Sequence, residues 1–137
     1  MEYAVYHKIM HDAAAAVEAG DFDTGIAGFH GLLDADISDI DKAMICNNLA
    51  VISDRLGDKD RALEWYDAGI AYEGPHYRFF IAECKAKFLL DNKCPNDALR
   101  LYEYLGKQRF LSESEKDRVL GNAAILRSQG ATGEPPL

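Results

Sequence analysis

The chain reads as an all-α protein built from paired helices. Two observations predict this: apolar residues recur at three- and four-residue steps in seven successive stretches, and glycine, proline or capping residues punctuate them. A third observation orders the stretches. The small residues Gly25, Ala62 and Ala98 hold matching places in alternate stretches, 37 and 36 residues apart, the length of one helix-turn-helix unit.

The first run, residues 3–19, carries Tyr3, Tyr6, Ile9, Ala13 and Val17 on one face and ends at Gly20. Asp21-Phe22-Asp23-Thr24 restarts a helix whose acidic first turn suits the helix dipole and which buries Ile26, Phe29, Leu32 and Leu33 before about Asp34. Ser38 and Asp41, spaced like a capping box, open a third helix that Gly57 stops after about Leu56. The fourth, about 59–72, buries Ala62, Leu63, Tyr66 and Ile70 and breaks at Gly74-Pro75. Pro75 suits the start of a fifth helix, about 75–92, which buries some of Phe79, Ala82, Ala86 and Leu89. Pro95 opens a sixth with Ala98, Leu99, Tyr102 and Leu105. Ser112 and Glu115 form a second capping box for a seventh, through about Gln129, whose Val119, Ala123 and Leu126 cover the end of the stack. One helical domain over residues 1–129 is expected, followed by a mobile Gly/Pro tail over 130–137.

Composition sets outer bounds on function. At 137 residues, 48% apolar and 28% charged, the chain can bury a core and is too apolar for disorder. No stretch has the roughly 18 uninterrupted apolar residues of a membrane span, and Met1 to Met10 lacks the pattern of a signal peptide, so a cytoplasmic location is expected. Cys46, Cys84 and Cys94 are three in number with no CxxC pair, and read as reduced thiols. The net charge of −8 sits at one end: residues 1–41 hold nine acids against Lys8 alone, while the remainder balances at fourteen of each sign. Nucleic acid and anionic lipid are thereby disfavoured as ligands, and a partner of basic character near the first helix pair is favoured.

The small residues Gly25, Ala62 and Ala98, the aromatics Phe29, Tyr66 and Tyr102 four positions later, and Leu32, Gly69 and Leu105 three beyond those resemble the second helix of the tetratricopeptide repeat. Gly20-Asp21 and Gly57-Asp58 match its turn, where the third unit has Lys93-Cys94. The first-helix signature is weaker: the middle unit offers Cys46, Leu49-Ala50 and Ser53, and the third offers Ala82, Lys85-Ala86 and Leu89. The resemblance implies a right-handed α-solenoid of three repeats with a capping helix, and a concave groove that holds an extended or helical segment of a partner protein. Its wall would carry Met10, Met44, Asn47, Asn48, Val51, Arg55, Phe80, Cys84 and Lys87. Peptide-binding members commonly carry Asn where this chain has Asn48, because a side-chain amide both donates to and accepts from a peptide backbone. Members that clamp a terminal carboxylate use cations and amides where this chain has Met10, Ala14, Phe80 and Cys84, so that ligand class is not expected. Met44, Phe80 and Met10 suggest an apolar anchor in the partner instead. The expected role is a non-enzymatic adaptor or assembly factor, with no cofactor and no metal.

Other chemistries compete weakly. Asp23-Thr24-Gly25 spells the aspartic protease triplet, but opens a helix here rather than standing on a β-scaffold. Asp34, Asp36 and Ser38 imitate a calcium loop, yet Asp39 and Ile45 stand where its turn glycine and bidentate Glu belong. His7 and His11 lie four apart on one helix face without a third ligand, and no His is spaced to activate Cys84. A metal- or thiol-dependent enzyme is the outside alternative. Self-association through the first helix or the tail Glu134-Pro135-Pro136-Leu137 is the alternative among binding proteins.

Overall fold

The computed structural model of the protein describes residues 1–133. The tail segment Glu134 to Leu137 lies outside the described residues. Among these, every regular element is helical: α1 (Tyr3–Glu18), α2 (Phe22–Leu32), α3 (Asp39–Arg55), α4 (Lys59–Glu73), a 3-10 turn (Gly74–His76), α5 (Phe80–Asp91), α6 (Pro95–Gly106) and α7 (Glu113–Ser128). The backbone divides into two compact units, Met1–Ile81 and a second that begins at Ala82. In the first unit α1 packs on α2, α2 on α3, and α3 on α4; in the second, α6 packs on α7.

Local chemistry sets the helix starts. Asp21, Ser38, Asp58 and Ser112 cap α2, α3, α4 and α7, each side chain accepting the backbone N–H three residues on. Only at Ser112 is the box reciprocal, with Glu115 accepting the Ser112 N–H at 2.8 Å. The Ser112 bonds also hold the Glu115 carboxyl below its ordinary range.

One expected boundary is corrected. Pro75 does not open α5; it sits in the 3-10 turn, and Tyr77 then takes a left-handed conformation (φ 57°) that no helix can continue through. Helix α5 begins at Phe80 instead, because its cap arrives from α4. The buried Glu73 carboxylate accepts the Ile81 N–H with both oxygens, at 2.9 and 3.0 Å. That cap is eight residues upstream, beyond the reach of a local capping rule.

Four turns repeat one geometry. Gly20, Gly57, Lys93 and Gly130 all have positive φ (84°, 82°, 61° and 94°). Each donates its N–H to the carbonyl three residues back, and the next residue donates to the carbonyl five back, as in Asp21 to Ala16, Asp58 to Ser53, Cys94 to Leu89 and Ala131 to Leu126. The first three join α1 to α2, α3 to α4 and α5 to α6. Lys93 therefore does the work of the glycines without being one. The fourth ends α7, and residues beyond it are tied to α6: the Thr132 N–H donates to Asn96 Oδ1 at 2.9 Å.

The first unit's core gathers Ala13, Val17, Phe29, Leu32, Ile45, Leu49 and Ile52, with Tyr6, Ile9, Met10, Phe22, Ile26 and Trp65 half-buried against it. Gly25 is small for a reason, since a Cβ there would lie 2.4 Å from Val17 Cγ2 and 3.1 Å from the Ala13 carbonyl. Ala62 and Ala98 at the matching places are fully buried. In the second unit the buried residues include Ala86, Leu89, Leu99, Tyr102, Leu105, Val119, Ala123 and Leu126. Tyr3, expected on the inner face of α1, is 78% exposed, and its ring lies 4.0 Å from that of His7.

Candidate functional site

Helix α3 is the element on which the candidate site is built. Its inner side, with Ile45, Leu49 and Ile52, is committed to the core. Met44, Asn48, Val51 and Arg55 follow one another at four- and three-residue steps, which places them along a single face. Met44 and Val51 on this face are exposed at 39% and 43%.

Two depressions open beside it, both within the first unit. The first, about 170 Å³, is floored by Val17, Phe29 and Ile52 and walled by Ala14 and Glu18 of α1 and by Asn48, Val51 and Arg55 of α3. Arg55 closes its rim, with Nη1 3.8 Å from Glu18 Oε1 and the guanidinium 5.8 Å from the Phe22 ring. The pair is exposed, so its role is positioning more than stability. The second depression, about 250 Å³, is lined by Ile40, Ala43 and Met44 of α3 together with Glu73, Arg78 and Phe80. Both fall below the roughly 300–1,000 Å³ of small-molecule pockets, a size better matched to side chains of another polypeptide.

The expected groove residues are distributed as follows. Asn48, Val51 and Arg55 come together in the first depression, and Met44 and Phe80 in the second. Asn47 adjoins Asn48 on α3 and keeps its Oδ1 buried with no hydrogen-bond partner among the described residues. Met10 packs half-buried against the core rather than standing free. Cys84, half-buried, and Lys87, exposed, belong to the part of α5 in the second unit. Phe29, Ile52, Glu73 and Arg78 were missed as site residues. The first two look like core by periodicity, and the others are recruited by the non-local cap of α5.

The residues weighed for other chemistry have local duties. Ser38 caps α3, and Gly25 of the Asp23-Thr24-Gly25 triplet lies against α1. Among the described residues no three His, Cys, Asp or Glu side chains gather where they could hold a metal ion. Burial pushes the Cys46 thiol up to about 11, so it stays protonated at neutral pH. Tyr6 is also raised, first by burial and then by the Asp41 carboxylate it bonds, a contact that ties α1 to α3. In the second unit Tyr102 is raised by burial and by Glu83, against a lowering hydrogen bond from Asn122. No helix among the described residues is long and apolar enough to cross a membrane. No protein-family model, curated protein or solved structure matches this chain.

Proposed function

We propose that this chain is a non-enzymatic protein-interaction module of the tetratricopeptide type, acting in the cytoplasm as an adaptor or assembly factor. In this reading its helix pairs stack as a right-handed solenoid, and the exposed face of α3 forms part of a wall that holds an extended or helical segment of a partner. The recurrence of one turn geometry at Gly20, Gly57 and Lys93 supports a repeated unit, as does the motif resemblance.

The observation that carries the reading is the first depression. Three helices bring an apolar floor and the Asn48 amide to one place, so a partner can bury an apolar side chain while its backbone bonds the amide. Met44, Val51 and Phe80 add exposed apolar surface along the same unit. The acidic excess of the first 41 residues favours a partner segment that is basic where it passes α1 and α2.

Affinity capture from native lysate tests this by comparing the wild-type chain with Asn48→Ala and Phe80→Ala. Both substitutions are expected to reduce the captured partner at least severalfold while circular dichroism stays unchanged. Equal capture by all three proteins at equal helicity moves the binding surface off α3 and rejects the reading.

A further inference from the structure

The first unit is short of positive charge. Residues 1–81 hold fifteen acids against six bases. Four of the bases pair with acids: Lys8 with Asp12, Arg55 with Glu18, Lys59 with Asp54 and Arg61 with Glu64. Lys42 lies over the Tyr72 ring, 5.9 Å from its centre. The sixth, Arg78, is exposed, and its guanidinium pairs with no acid among the described residues. In a unit with more than two acids for every base that arginine is the exception, and it lines an apolar recess, the second depression beside α3.

The backbone holds Arg78 there. Tyr77 turns the chain with its left-handed torsion, and the Arg78 N–H donates to the Glu73 carbonyl at 3.3 Å. Ile40, Ala43 and Met44 supply an apolar lining, and Phe80, 54% exposed, adds an aromatic ring. A cavity of about 150 Å³ admits a benzene ring. At about 250 Å³, the recess has room for one large apolar side chain. Glu73 also lines it, but that carboxylate is buried and both its oxygens accept the Ile81 N–H. A guest can therefore meet the guanidinium in the open, while the end it buries must carry no negative charge. The acids flanking Ile40 are engaged as well, Asp39 by His76 Nε2 at 3.0 Å and Asp41 by Tyr6.

We infer that the second depression takes a large apolar side chain of a partner segment whose neighbouring residue is Asp or Glu, the carboxylate pairing with Arg78 at the surface. This rests on the reading that a partner segment docks along α3. It adds the sign of charge at this end, opposite to the basic character expected beside α1 and α2. A lysine or arginine in the same place would confront a cation, so the recess selects by charge as well as by size.

Amide NMR spectra of the isotope-labelled full chain test it with three peptides blocked at both ends: Ala-Leu-Asp-Ala, Ala-Leu-Asn-Ala and Ala-Leu-Lys-Ala. The aspartyl peptide is expected to shift the amides of Met44, Arg78 and Phe80. It is expected to bind about two- to fivefold tighter than the asparaginyl peptide, the range of an exposed ion pair, with the lysyl peptide weakest. Arg78→Gln is expected to abolish that preference at unchanged helicity, Arg78→Glu to reverse it in favour of lysine, and rising salt to shrink it. Equal binding of the three peptides overturns the inference, as does a preference for aspartate that survives Arg78→Gln, or no shift at these amides. Adding Arg78→Gln to the lysate capture separates this inference from the reading beneath it. Capture that falls with Phe80→Ala but not with Arg78→Gln overturns the carboxylate and leaves the docking reading standing, whereas capture indifferent to Asn48→Ala and Phe80→Ala rejects the docking reading itself.

Discussion

Lys93 illustrates how backbone geometry can outrank residue type. It occupies the left-handed position that Gly20 and Gly57 hold in the equivalent turns, at φ 61°. A side chain there costs about 1–2 kcal/mol, offset partly by the entropy a glycine would lose. Lys93→Gly should therefore stabilise the chain by about 0.5–1 kcal/mol, and Gly57→Ala should destabilise it by about 1 kcal/mol, both readable from urea midpoints. Cys46 gives a second residue-scale test. Its folded thiol ionises at about 11 against an ordinary value of 9.0, so the unfolded chain sheds this proton first. Stability from this group is complete below pH 9 and is lost as pH rises toward 11, by roughly 2 kcal/mol. Cys46→Ala should flatten the stability profile across that window; an unchanged slope would mean the thiol is not desolvated.

Whole elements were legible where their signals were local. Ser38 and Ser112 announced two helix starts, and the glycines after α1 and α3 announced two ends, because capping side chains and left-handed glycines act within one turn of themselves. The start of α5 was not legible. Its cap is the buried Glu73 carboxylate, and periodicity cannot reveal that a Glu at the end of one helix will serve the next. Two substitutions separate these cases by their cost. Ser112→Ala removes an exposed capping box and should cost about 1 kcal/mol. Glu73→Ala leaves a buried N–H without its acceptor and should cost about 1–3 kcal/mol, with Glu73→Gln in between, as thermal melts would record.

For the molecule as a whole, the sequence told helices from strands and told core from surface along α2, α4 and α6, where Phe29, Leu32, Ala62, Tyr66, Ala98, Leu99, Tyr102 and Leu105 are buried as their spacing predicts. It told less about the candidate site, because Phe29 and Ile52 serve the core and the first depression at once. Folding and binding should nonetheless be separable. Tyr66→Ala empties a buried position and should cost about 3–5 kcal/mol, whereas Asn48→Ala should stay within about 0.5 kcal/mol of wild type. A large stability loss in Asn48→Ala would make that amide a structural strut rather than a contact for a guest.

The shared turn also has a genetic consequence. Gly20, Gly57 and Lys93 each end a helix with a positive φ and the same pair of backbone bonds, so each offers a joint at which coding sequence could be cut and rejoined with the corner preserved. On the repeat reading proposed above, duplicating or excising a segment bounded by two such joints would give the ribosome a chain whose corners already fold, and change in length would be the mutation such a chain most readily absorbs.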